Sequence, residues 1–460
     1  MKNGGVKGKK IMSYLPLIMV ELYLVMTLLL MTFGPIKYNL QNREKFWVLI
    51  VLYHVALIVG YVIVAKVKSK ENDKGLNISE NTIKKIYWII LAVGFLVWCV
   101  VYRNGTHAKS YIPYELPKHF IQGLLHPAQR YYWKLTPEAL AQFHGNKLVT
   151  GISSIFYPLY YFMPMFLIGM WNHITKTQKV LSYVQMFLTM AMGISVGTNK
   201  YLFDLLFIVA GGFVIELFCR WNEEGFSFIK KRKIVLFTII FLAIFDVCYF
   251  TYNLRDRTGN LSAYIGSISE DITVEDGMSE AEQMESAIAA KRTGGFLIDM
   301  LVGVENYICQ GYYGFSLALD EEFTTTYGVG HSAFCISTLE GLFDIELQER
   351  TFQEKISDVW SSKSRWHSFY SQMANDVGFY GVIGVMFVIG VLLAAAWQDA
   401  YKDQNIVAKC LLVLFVIMVL YMPANNQVGN GAGTFFAFWE TMVLWIFLKW
   451  RKKSHDKNKV

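Results

Sequence analysis

Ser364, His367, Ser368, Ser371, Gln372 and Asn375 fall at offsets 0, 3, 4, 7, 8 and 11 along the chain. On an α-helix that spacing places all six on one stripe. The stripe leads into an apolar run, and a polar stripe in hydrocarbon has to face protein or a water-filled cavity, because facing lipid is too costly. His367 stands at its outer end, at the level of a lipid phosphate. A neutral imidazole there accepts a proton from a sugar hydroxyl; the competing reading is a structural histidine at a helix start.

Cations gather at the same membrane face. Arg255 and Arg257 follow an apolar run directly, and Arg365 precedes His367 by two residues. Arginine presents a planar fork that holds phosphate oxygens bidentately and keeps its charge, which suits a diphosphate. Snorkelling to ordinary lipid phosphates explains a single arginine at a helix end equally well. Lys200 sits in the tight connection Gly197-Thr-Asn-Lys200 and supports the anion site more weakly.

Asp204, Asp246 and Glu440 lie within apolar runs, where a carboxylate must pair or line a cavity. Such residues also suit a proton-coupled transporter, the main rival reading. Gly193-Ile-Ser-Val-Gly197 has the spelling of a nucleophile elbow but ends a membrane helix, without the strand that motif requires. The six cysteines show no metal-ligand spacing. No metal or nucleotide cofactor is expected.

These residues have to be positioned by a membrane fold. The chain of 460 residues is 54% hydrophobic and 16% aromatic, far more apolar than soluble domains. Apolar runs near 12–33, 46–65, 86–102, 151–170, 180–197, 201–218, 234–252, 372–397, 406–423 and 433–450 each approach the roughly 20 residues needed to cross a bilayer. An all-α, polytopic single membrane domain over 1–460 with about ten spans is expected. Of the 43 Lys and Arg, 25 fall in segments assigned to the cytoplasm and only four in the short outer loops. That asymmetry gives an N-in, C-in topology. The net charge of +7 then reflects orientation and attraction to membrane lipids, and nucleic acid is excluded as a partner.

Two outer loops are long. The first, 103–150, is rich in Tyr, Trp and Pro, and reads as an interfacial aromatic belt more readily than as a platform for sugars. Within it, Thr136-Pro-Glu138 looks like a helix start. The second, 253–371, holds an acidic stretch over 267–285 and an apolar segment over 296–319. Asp299, Asn306 and Gln310 give that segment one polar face, so it is expected as a helix packed at the outer interface or as a re-entrant element. Cys309 and Cys335 share this loop, which leaves a disulfide between them open.

Tyr327-Gly-Val-Gly-His331, then His367-Ser-Phe-Tyr-Ser-Gln372, then Asp376-Val-Gly-Phe-Tyr-Gly381 resemble the pattern of Wzy-type oligosaccharide repeat-unit polymerases and the related O-antigen ligases. The Tyr307–Leu317 fragment, with Gly311-Tyr-Tyr-Gly314, is similar to a Tyr/Gly-rich stretch of polymerases from capsule and exopolysaccharide clusters. The resemblance is specific over the last third of the chain and rests on architecture before that. It implies a GT-C-like glycosyltransferase of the bacterial cytoplasmic membrane, working at its outer face on undecaprenyl-diphosphate-linked oligosaccharides without metal or nucleotide. It further implies His367 and Arg255 as catalytic residues, with Arg257, Arg365, Lys200, His331 and Tyr327 binding substrate. A chain-length regulator is the further partner it allows. A ligase shares most of these signals. Lys200 stands where the family often has Arg, and Ser368 where it often has Asn.

Overall fold

The computed structural model describes residues 3–36, 38–67, 79–133, 136, 137, 139, 143, 145–258, 296–362 and 365–457. The acidic stretch 267–285 and Ser364 lie outside the described residues. The principal helices are α1 (Asn3–Phe33), α2 (Arg43–Lys66), α3 (Glu80–Thr106), α4 (Lys176–Val196), α5 (Lys200–Cys219) and α6 (Lys233–Thr258). They continue with α7 (Phe296–Ala318), α8 (Ala333–Phe343), α9 (Phe369–Asp403), α10 (Ile406–Tyr421) and α11 (Ala432–Lys457). Among the described residues there is no strand.

Eight helices among the described residues, α1 to α6, α9 and α11, are long and apolar enough to cross a membrane. The chain is an all-helical, multi-pass membrane protein. These eight match eight of the expected apolar runs. The run at 151–170 is instead three short helices, Lys147–Ile155, Tyr157–Tyr161 and Met163–Gly169. Pro158 and Pro164 sit in the first turns of the second and third. A proline there has no N–H to continue the preceding helix, so each one starts a new segment. The run at 406–423 becomes α10, which has only 16 residues.

The chain forms two compact units. Unit one comprises Met1–Ser69, Thr258–Ala395 and Ile417–Thr434; unit two comprises Lys70–Arg257, Ala396–Val416 and Phe435–Val460. In unit two, Thr175 closes a capping box with Gln178 at the start of α4. Its core gathers Tyr87, Leu91, Ile194, Leu202, Phe213 and Phe228. Lys409 and Glu216, both almost fully buried, pair at 2.5 Å, and Arg220 bonds the same carboxylate.

Unit one is built around α7. This helix runs beside α1: the Tyr312 hydroxyl lies 3.0 Å from Thr27 Oγ1, and Glu305 accepts the Ile36 N–H at 3.2 Å. Cys309, Tyr312 and Phe315 are fully buried, so the C-terminal half of the helix is enclosed by protein, while Leu301 nearer its start is exposed. Its expected polar face is partly sealed as well, with Asn306 and Gln310 buried. All six cysteines are free thiols, Cys309 and Cys335 included.

Candidate functional site

Four separate stretches of sequence come together in unit one. The first is the C-terminal half of α7. A Cβ at Gly311 would fall 2.7 Å from the Ala424 carbonyl oxygen and 2.8 Å from the Ser368 amide. One at Gly314 would meet the Trp360 indole at 2.8 Å and His367 Nδ1 at 3.4 Å. Only hydrogens fit in these gaps, so the two glycines let α7 lie directly against the segment carrying His367. Three bonds hold that segment: Ser368 N–H to Gly311 O at 3.3 Å, Trp366 N–H to Gln310 Oε1 at 3.1 Å, and Phe369 N–H to Met422 O at 3.0 Å.

His367 is 3% exposed, with its ring against Gly314 and its neighbour Trp366 accepting the Trp360 indole N–H at 3.1 Å. Neither ring nitrogen makes a well-formed hydrogen bond. Burial pushes its pKa down to about 4, outweighing the Ser361 carbonyl and Glu354, which act in the opposite direction. The imidazole is therefore neutral at physiological pH and sealed from solvent. Ser368, Ser371 and Asn375 are buried with it, so the polar stripe faces protein as its spacing requires. Arg365 lies with its guanidinium 5.1 Å from the Trp360 ring centre.

The third stretch, Thr326 to Ser332, is clasped by Asp376 in the first turns of α9. Asp376 Oδ1 accepts the Gly330 N–H at 2.7 Å and the Thr326 hydroxyl at 2.5 Å. Its Oδ2 accepts the His331 N–H at 3.0 Å and lies 2.8 Å from His331 Nδ1. Asn375 adds a bond from Nδ2 to the Gly330 carbonyl at 2.8 Å. Two residues on, Gly378 takes φ 68° and ψ 166° and kinks α9. That region is essentially restricted to glycine, so Asp376-Val-Gly378 is a carboxylate presented just before an obligatory bend.

The fourth stretch is the turn after α10. Asn426 Nδ2 donates to the His331 carbonyl at 2.7 Å, and Ser332 Oγ donates to the Gly429 carbonyl at 2.5 Å. Gln372 links α9 to the same turn, donating to Asn425 at 3.1 Å and accepting the Asn426 N–H at 3.1 Å. Above this floor Tyr327 is 70% exposed with φ 58°, a left-handed conformation strained for a tyrosine. Its hydroxyl accepts from Arg350 at 3.1 Å, and the guanidinium lies 5.2 Å from its ring centre.

Thus His367, Arg365, His331 and Tyr327 all belong to unit one. The remaining cations expected at the site belong to unit two. The backbone of Arg255 and Arg257 forms the last turn of α6, and Lys200 opens α5. Between the arginines, Asp256 accepts the Ala128 N–H at 2.9 Å. Sequence reasoning missed the roles of Asp376, Gln372, Asn375 and Asn426. The available signal was a lone acid two residues before the first glycine of Gly-x-x-Gly in an apolar helix. Among the described residues, no three metal-ligating side chains cluster. No family model, curated protein or solved structure matches this chain.

Proposed function

We propose that this protein is a membrane glycosyltransferase that extends lipid-diphosphate-linked oligosaccharides at the outer face of the bacterial cytoplasmic membrane. The observation that carries the reading is convergence. The Tyr/Gly-rich part of α7, the Tyr327–His331 turn, His367 and the Asp376–Gly381 bend are the segments that resemble repeat-unit polymerases, and they pack against one another in unit one. Spread over about 75 residues of sequence, they share bonds and close backbone contacts.

In the reaction, a hydroxyl of the acceptor sugar attacks the anomeric carbon of the donor glycan, and the bond to the diphosphate oxygen breaks. The leaving group carries the bonding electrons, so a cation near it lowers the barrier; Arg365 is the candidate in unit one. Arg255, Arg257 and Lys200 are the candidates that the resemblance names in unit two. The hydroxyl proton requires a base, for which the resemblance names His367. The sugar–diphosphate bond supplies the driving force. Purified protein supplied with undecaprenyl-diphosphate-linked repeat units, and no nucleotide, is expected to produce a ladder of longer glycans. Only single units, from a substrate verified by mass spectrometry, would refute the reading.

One observation favours the rival transporter. Glu21 of α1 and His54 of α2 pair at 2.6 Å midway along two membrane-spanning helices, and intramembrane ionisable pairs mark proton paths. Proton-driven uptake of a solute into vesicles containing the protein would support that reading.

A further inference from the structure

His331 differs from the other histidines of unit one in how it is held. Asp376 receives four donors: the Gly330 N–H, the His331 N–H, the Thr326 hydroxyl and His331 Nδ1. A carboxylate surrounded only by donors is an acceptor at both oxygens, so the proton between it and the ring belongs to Nδ1. That fixes the tautomer and leaves the lone pair of the neutral ring on Nε2, on the side away from Asp376. The His331 side chain is 20% exposed, whereas His367 is closed off beneath Trp360 and Gly314. His54 also meets a carboxylate, but within membrane-spanning helices and with its Nε2 buried.

The surroundings of His331 are rigid. Asn426 holds its carbonyl, Asn375 holds the carbonyl of Gly330, and Ser332 is tied to Gly429. Four residues upstream in the same turn, the exposed Tyr327 ring stands in a strained conformation beside Arg350. Strain concentrated beside an accessible, oriented imidazole is a mark of functional sites. Fixing the turn alone requires only the backbone amides and Thr326 on Asp376. The imidazole adds a fourth donor, Nδ1 at 2.8 Å from Oδ2, and that bond sets the direction of the ring.

We infer that His331, oriented by Asp376, takes the proton from the attacking sugar hydroxyl, in place of the buried His367. The inference rests on the glycosyl transfer proposed above. As the acceptor oxygen forms its bond to the anomeric carbon, the bond from that carbon to the diphosphate oxygen breaks. The leaving diphosphate takes the electron pair, and the hydroxyl proton passes to His331 Nε2. The imidazolium so formed lies against the Asp376 carboxylate, which stabilises it, and the proton later returns to water. Asp376 is then a positioning residue, and His367 is part of the packing of the segment before α9.

The test uses the full-length protein in detergent with undecaprenyl-diphosphate-linked repeat units, extracted from cells lacking the gene. His331→Ala is expected to lower kcat by about 10²–10⁴-fold with KM changed little, and added imidazole is expected to restore part of the rate. Asp376→Asn is expected to lower kcat as well, while thermal unfolding shows it folded. A purely structural histidine would not be rescued by free imidazole, and such a result overturns the inference. Ladders of wild-type length from His331→Ala would overturn it too, and would leave the glycosyltransferase reading standing. A wild-type protein inert on verified substrate would remove both.

Discussion

Gly311→Ala tests whether α7 touches the segment carrying His367 backbone to backbone. The added methyl would meet the Pro423 carbonyl oxygen, the Ala424 carbonyl oxygen at 2.7 Å and the Ser368 amide at 2.8 Å. All three are main-chain atoms, so no rotamer change relieves the clash. Overpacking of a tight site costs about 1–3 kcal/mol, and a clash with backbone on several sides belongs at the upper end. Alanine also stabilises a helix by roughly 0.8–1 kcal/mol over glycine, so the net loss is about 2 kcal/mol. At some 2 °C per kcal/mol for a large domain, the melting temperature in detergent falls by roughly 4 °C. Gly341 in α8 serves as the control, because a Cβ there meets nothing within 4 Å. Gly341→Ala is expected to hold or raise the melting temperature. If both variants melted like the wild type, α7 would not lie against residues 366–368, and the assembly of the site would be wrong.

Three other perturbations follow from the geometry. Tyr327→Gly removes a strained left-handed tyrosine and is expected to stabilise the protein by about 1 kcal/mol while lowering turnover, read by melting and by ladder assay. His367 and His119, both outside the membrane-spanning helices, have pKa values lowered to about 4 by burial, with Arg130 adding to the effect at His119. The unfolded chain takes up their protons first, so stability is full above the usual histidine pKa and declines as pH falls from about 6.5 to 4. In unfolding curves across that range, His367→Gln should make the slope shallower. Lys409→Met removes one of the two cations on the buried Glu216 and leaves Arg220 on it, so it should destabilise the protein by about 1–3 kcal/mol, measured by denaturant titration; a neutral outcome would mean the pair is dispensable.

The membrane-spanning helices were legible because hydrocarbon imposes one requirement, a long apolar run, and eight runs met it. The run at 151–170 misled because its hydropathy is continuous while Pro158 and Pro164 interrupt its hydrogen bonding. Enclosure of the C-terminal half of α7 was hidden for a different reason. Tyr312 and Cys309 are buried by α1, nearly 300 residues away in sequence, and periodicity reports a helix's faces without naming their neighbours. The stripe from His367 to Asn375 was read as facing either protein or a water-filled cavity; His367, Ser368, Ser371 and Asn375 are buried in protein, and spacing does not reveal how deep His367 lies. The clasp of Asp376 on His331 joins residues 45 apart. Its two halves were visible as motifs, and their mutual contact was not. Gly378 made sense only once its positive φ was seen.

In the proposed reaction, glycan growth breaks a sugar–diphosphate bond. The most direct measurement counts free undecaprenyl diphosphate against glycan length, using purified protein in lipid nanodiscs with lipid-linked repeat units and no nucleotide. One undecaprenyl diphosphate is expected to be released for each unit added, with release slowed by His331→Ala to the same extent as elongation. Elongation without that release, or release without elongation in the presence of acceptor, would contradict it.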